Sequence, residues 1–204
     1  MEEGILYIVA TPIGNLMDIT MRALEVLKEV DYIVAEDTRH TVRLLNHYDI
    51  KNRLTSYHDY NKVQKSKWII DKLQKGDNIA LVSDAGTPGI SDPAFYIVRE
   101  AIKNGYKVTS IPGPTAFVSA LVISGLPTDR FVFEGFLPRR KGRKKRLDQL
   151  REENRTIILY ESPHRLKKTL AELYSYLGDR EIAIARELTK KFEEVTRGAL
   201  SKFL

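Results

Sequence analysis

The sequence contains no cysteine, which removes disulfide scaffolds and thiolate metal sites from consideration and fits a reducing compartment. Its four histidines, His40, His47, His58 and His164, are scattered without metal-type spacing, so no metal is expected. Long apolar runs are also missing. TAFVSALVISGL, Thr115 to Leu126, has twelve residues and is too short to span a bilayer. The opening MEEGILYIVATPIG starts acidic and lacks a small-residue cleavage site. The expectation is a cytoplasmic protein with no membrane partner. There is no G-x-G-x-x-G fingerprint, no G-x-x-x-x-G-K-[ST] phosphate loop and no RNP or KH motif, which disfavours a nicotinamide or ordinary nucleotide triphosphate site.

What is present suits packed cores: 204 residues, 43% hydrophobic and 29% charged, enough for one large or two small domains. The net charge of +6 comes from 33 basic and 27 acidic residues. Seven of the basic ones lie in PRRKGRKKR, Pro138 to Arg146; without them the balance is 26 against 27. One concentrated cationic segment on a near-neutral chain points to a polyanionic partner, or else to a solvated loop that aids solubility.

Along the chain, strand-like and helix-like segments alternate. ILYIVA, DYIVAED, NIALVSD and KVTSI read as strands, and TMRALEVLKEV, TRHTVRLLNHY, NKVQKSKWIIDKLQKG, PAFYIVREAIKNG and TAFVSALVISG as helices. This alternation predicts a mainly parallel α/β sheet. It pauses at GLPTDR and restarts with strands FVFEGF, RTIILYES and EIAIARE around helices KKRLDQLREEN and HRLKKTLAELYSYLG. The pause places a boundary near Leu126 to Arg130, giving domains 1–126 and 127–204.

Three loops follow strand ends: ATPIGN, SDAGTPGISDP and IPGPTA. In parallel α/β sheets ligands bind at such ends. Each loop combines glycine with proline, leaving exposed backbone donors and acceptors. From composition they are either three independent turns or one site. Asp84 and Asp92 either face a ligand or cap local turns and the helix beginning near Pro93. In AEDTRHT, Asp37 reads as a helix N-cap, with Arg39 and His40 on a solvated face, or as part of an acid–base cluster with Glu36. Phe136 reads as core or as a stacking face. Tyr57, His58 and Tyr60 form either a packed strand end or an aromatic surface.

TPIGN, AEDTRHT, VSDAGTPGISDP, IPGPTA, FEGFLPR, LYESPHR and ARELTKKFEE, in this order and spacing, closely resemble the bacterial ribosomal RNA small subunit methyltransferase I family of the tetrapyrrole methylase superfamily. The resemblance implies two α/β domains of the class III methyltransferase type with a cofactor cleft between them. It implies S-adenosyl-L-methionine as donor, 2′-O-methylation of a cytidine ribose in the decoding region of small-subunit ribosomal RNA, the assembled small subunit as partner, and a homodimer. It also implies further strand and a basic tail beyond RGALSKFL, so the second domain reads as truncated. A small tetrapyrrole-like substrate, or RNA binding without catalysis, are the alternatives on the same fold.

Carried over to this chain, the resemblance implies cofactor contacts at Pro12, Ile13 and Gly14; at Asp84, Ala85, Gly86 and Thr87; at Ser91, Asp92 and Pro93, where serine replaces the glycine of a Gly-Asp-Pro motif; at Thr115 and Ala116; and at Tyr160, Ser162 and Ala185. It turns Arg39, and from the second domain Arg186, Lys190 and Lys191, toward RNA. The cations Arg139, Arg140, Lys141, Arg143, Lys144, Lys145 and Arg146 suit RNA phosphates. Methyl transfer is an in-line displacement that needs alignment and removal of a hydroxyl proton, for which Asp37, Glu187 and His40 are the candidate bases.

Overall fold

The computed structural model describes residues 3–204; Met1 and Glu2 of the acidic opening lie outside the described residues. By internal contacts the chain divides into two compact units, Met1–Thr115 and Ala116–Leu204.

Unit 1 holds five parallel strands, β1 (Leu6–Val9), β2 (Tyr32–Ala35), β3 (Leu54–Ser56), β4 (Ile79–Val82) and β5 (Val108–Ile111), in the spatial order β3-β2-β4-β1-β5. Its helices are α1 (Met21–Glu29), α2 (Thr38–His47), α3 (Lys62–Gln74) and α4 (Ala94–Lys103). The strands read as continuous apolar runs because helices cover both faces. Side-chain alternation shows how. Val9, Ile33, Ala35, Ala80 and Val82 pack with Ala23 and Leu27 of α1 and Leu44 and Leu45 of α2. Leu6, Ile8, Val34, Ile79 and Leu81 pack with Ile69 and Leu73 of α3 and Ala94, Ile97 and Ala101 of α4.

Right-handed crossovers explain this split. The chain leaves β1 and β2 in one direction across the sheet and β3 and β4 in the other, so the connections lie on opposite faces. The loops after the neighbouring strands β1 and β4 therefore diverge, opening the crevice where doubly wound sheets bind ligands. Short polar side chains start α1 and α2: Thr20 accepts the Ala23 N–H at 3.1 Å and Asp37 accepts the Arg39 N–H at 2.9 Å.

Unit 2 begins with α5 (Ala116–Val122), followed by β6 (Phe131–Phe136), α6 (Arg143–Leu150) and β7 (Thr156–Tyr160), a strand–helix–strand unit whose strands pair in parallel. Then come α7 (Leu166–Leu177) and an antiparallel hairpin of β8 (Glu181–Arg186) and β9 (Glu194–Ala199). Leu147, Leu150, Leu170, Leu173 and Leu200 form the core.

Two elements differ from the sequence expectation. β3 has three residues and β9, EVTRGA, has little apolar content, so neither carries a strand signal. The unit boundary also falls before α5 rather than at the GLPTDR pause. The physical reason is aromatic: Phe117 of α5 stacks on Phe133 of β6 at 4.5 Å between ring centroids.

Candidate functional site

The three glycine–proline loops of unit 1 meet at the carboxyl ends of β1, β4 and β5. Thr11 and Gly86 exchange two backbone hydrogen bonds, each 2.9 Å, tying the first loop to the second. The Thr11 hydroxyl donates to the Ser83 carbonyl at 3.1 Å. Thr87 Oγ1 donates to the Pro114 carbonyl at 3.2 Å and lies 2.7 Å from Thr115 Oγ1, tying the second loop to the third. Two glycines permit this approach. Gly86 has φ +85°, and a Cβ there would sit 3.4 Å from Ile13 Cγ2; a Cβ on Gly113 would sit 3.0 Å from Ala10 Cβ. The three loops are thus one built constellation of carbonyls and amides.

Carboxylates flank it. Asp84 Oδ1 accepts the Asp37 backbone N–H at 2.9 Å, linking the β4 loop to the start of α2. Asp92 accepts the Gly89 N–H with both oxygens, at 2.9 and 2.8 Å, and the Ala94 N–H at 2.8 Å, which caps α4. Ser91 is held at φ +68°, the region a glycine occupies without strain. A small recess at the end of β4 is lined by Glu36, Tyr57, Ser83, Asp92, Pro93 and Ala94. Partial desolvation of the Glu36 carboxyl, reinforced by the charges of Asp84, Asp92 and Asp59, pushes its pKa up. Asp37 is the opposite case. The Arg39 guanidinium grips its carboxylate and the Arg39 backbone N–H donates to it, holding it well below the usual carboxylate range.

Unit 2 carries the cations. Arg143 is not among the free ones: its side chain is only 11% exposed and pairs with Glu172. Its Nη1 donates to the Pro138 carbonyl at 3.1 Å and its Nη2 to Thr169 Oγ1 at 2.8 Å. The Thr169 hydroxyl donates to Glu161 Oε2 at 2.7 Å, and Arg165 holds both Glu161 oxygens. Burial alone would raise the Glu161 pKa, but hydrogen bonds from Arg165, Thr169 and the Ser162 N–H keep it below its ordinary value. Arg146 pairs with Glu134 at 2.9 Å. Arg139, Arg140, Lys141, Lys144 and Lys145 are exposed and, among the described residues, have no ion-pair partner.

A family model for Tetrapyrrole (Corrin/Porphyrin) Methylases matches residues 5–204. The chain is 54% identical to the ribosomal RNA small subunit methyltransferase I of Halalkalibacterium halodurans, over 98% of this chain and 70% of that protein. It is 55% identical to the Synechocystis protein of the same name, over 97% of this chain and 71% of that one. The chain belongs to the tetrapyrrole methylase family, among the ribosomal RNA small subunit methyltransferases I. A Thermus thermophilus uroporphyrin-III C-methyltransferase, solved with S-adenosyl homocysteine, shares the fold at a TM-score of 0.67 and 16% identity, over 98% of this chain and 90% of that one.

In this methylase the sequence-predicted residues separate into groups. The positions from Pro12 to Gly14, Asp84 to Thr87, Thr115 and Ala116 fall at or beside the joined loops. Ser91, Asp92 and Pro93 shape the turn that starts α4; for Asp92 the capping role is the one seen. Tyr160 ends β7, Ser162 follows it, and Ala185 lies in β8. Arg186 pairs across the hairpin with Glu194, and Lys190 with Glu187 at 3.1 Å. Both pairs are exposed and release readily to another anion.

Several expectations need correction. Arg143 is largely buried and spent on internal partners rather than left for phosphate, and the more exposed Arg146 is paired with Glu134. Asp37 is held by Arg39, which lowers its pKa, while partial desolvation and the charges of Asp84, Asp92 and Asp59, two of them distant in sequence, raise that of Glu36 beside it. Phe136 is 57% exposed rather than core, whereas Tyr57 is buried at 2%. His40 is exposed on α2, and Tyr60 is exposed too. Among the described residues no cluster of histidine and carboxylate side chains is arranged to hold a metal, and no helix is long and apolar enough to cross a membrane.

Proposed function

We propose that this chain uses S-adenosylmethionine to methylate the 2′-oxygen of a cytidine ribose in small-subunit ribosomal RNA. The observation that carries the reading is the joining of the Thr11, Gly86 and Thr87–Thr115 loops at three strand ends, in a chain more than half identical to proteins named for that ribosomal RNA.

The residues present fit the cofactor. Its sulfonium and amino group are cationic, and the loops offer carbonyl oxygens with Asp84 and Glu36 close by rather than a phosphate cradle. Pro12 to Gly14, Asp84 to Thr87, Thr115 and Ala116 would hold it, with Tyr160, Ser162 and Ala185 contributed by unit 2. When bound, it supplies an already activated methyl group. The protein's own work is then alignment of the ribose hydroxyl and removal of its proton. Glu36 joins Glu187 and His40 as a candidate acceptor, because its surroundings raise its basicity while those of Asp37 lower it. Arg39, Arg186, Lys190, Lys191 and the free cations of the basic loop would hold RNA phosphates, in the assembled small subunit, and the active form is a homodimer.

Incubation with methyl-labelled S-adenosylmethionine and small ribosomal subunits, followed by nucleotide mapping, tests the reading. A 2′-O-methylcytidine in the small-subunit RNA is the expected product. Label on a base, or no transfer to subunits or naked RNA, would overturn it.

A further inference from the structure

We propose that Phe136 is a stacking platform for an unpaired RNA base, an assignment that rests on the ribosomal RNA reading above and specifies one of its contacts. A lone exposed aromatic is ordinary on a protein surface. Three features set this one apart.

The first is the strand that carries it. Residues three apart on a regular strand point to opposite faces. The β6–β7 register shifts between Phe133 and Gly135, and Gly135 adopts φ +62°. This bulge inverts the alternation, so Phe133 and Phe136 both reach Tyr160, at 5.1 and 5.4 Å between ring centroids. Bulges of this kind commonly re-aim a side chain beside a functional site.

The second is rigidity. Tyr160 backs Phe136 and rests edge-on against Phe133, which stacks on Phe117 at 4.5 Å. On the other side, the carbonyls of Leu137 and Pro138 are clamped by Arg165 Nη2 at 3.5 Å and Arg143 Nη1 at 3.1 Å. The phenyl ring is therefore both exposed and held, so stacking on it costs little ordering entropy.

The third is charge. The free cations Arg139, Arg140, Lys141, Lys144 and Lys145 begin three residues after Phe136. An aromatic face beside a cationic track is the chemistry that recognises unstacked bases on a phosphate backbone. It has no use for a paired duplex, whose bases are already stacked.

The test compares binding of a hairpin RNA with an unpaired loop and of a fully paired RNA duplex of equal length. Phe136→Ala and Phe136→Leu should each weaken hairpin binding by roughly 5- to 100-fold. They should leave duplex binding and the salt dependence unchanged, and Phe136→Tyr should restore the hairpin affinity. Leucine keeps an apolar contact to Tyr160 without an aromatic face, so the pair of variants separates stacking from folding damage. Parental hairpin affinity in both variants, or equal losses on hairpin and duplex, would overturn the assignment. A parent that methylates RNA while its Phe136 variants bind normally removes this inference alone; a parent that neither binds nor methylates RNA removes the functional reading with it.

Discussion

Replacing Arg139, Arg140, Lys141, Lys144 and Lys145 together by glutamine separates the basic loop's electrostatic role from its structural one. The sequence shows seven cations there, but Arg143 is buried against Glu172 and Arg146 is paired with Glu134, so five meet phosphate without first giving up an ion pair. For single-stranded RNA each phosphate contact contributes about 0.7 to the slope of log affinity against log salt, so losing up to five should flatten it by as much as about 3.5. Seven contacts would give about 4.9. Between roughly 50 and 200 mM salt the parent should accordingly lose about 100-fold more affinity than the five-site variant. Filter binding or fluorescence anisotropy across that range reads the slope directly. Thermal unfolding should stay close to the parent, because among the described residues none of the five side chains has an ion-pair partner. An unchanged slope would mean that the run is a solvated loop and that RNA is gripped elsewhere.

Arg143→Gln should behave differently, costing on the order of 2 kcal/mol in urea denaturation because it strips the Pro138 carbonyl, Thr169 and Glu172 of a largely buried partner; a stable variant would refute the clamp. Gly86→Ala should cost about 1–2 kcal/mol by forcing a side chain into a left-handed backbone against Ile13, and calorimetry should show cofactor affinity falling more than RNA affinity. Glu36 has a folded-state pKa above its unfolded value, so the folded state keeps the extra proton and stability falls as pH rises from the usual carboxylate range through the raised pKa. Glu36→Gln should therefore have the higher Tm at neutral pH, a difference that shrinks near pH ~4, together with weaker cofactor binding; a Tm difference that does not vary with pH would refute the account.

The parallel sheet was legible because its strands are buried on both faces and read as apolar runs between helices of 3.6-residue period. β3 and β9 were not, since LTS and EVTRGA take their strand conformation from pairing to β2 and β8. The three loops could be found from their glycine and proline, but that they join required the Thr11–Gly86 bridge, a contact across 75 positions of sequence. The pairing of charges is not legible in the sequence. A run of cations looks uniform in sequence, yet α6 turns Arg143 inward to Glu172 and Arg146 toward Glu134 while its neighbours face solvent. Likewise Glu36 and Asp37 are adjacent and chemically alike. One is partly desolvated and faces other carboxylates, the other is gripped by a guanidinium, so their proton affinities move apart.

The same division of charge extends to the units. Split after Thr115, unit 1 contains 14 basic and 15 acidic residues and unit 2 contains 19 and 12, so the net +6 is −1 on one and +7 on the other. The ligands proposed for them have matching chemistry. A small cationic cofactor needs local carboxylates and carbonyls at close range, which the strand-end loops of unit 1 provide without any net field. A polyanion is drawn by accumulated charge, which unit 2 provides and salt screens beyond about 10 Å. Rising ionic strength should thus erode RNA binding while leaving the cofactor contacts, made largely by backbone oxygens, close to unchanged. The five-site variant can report on RNA grip for that reason: the charges it removes belong to the unit whose ligand is sensitive to them.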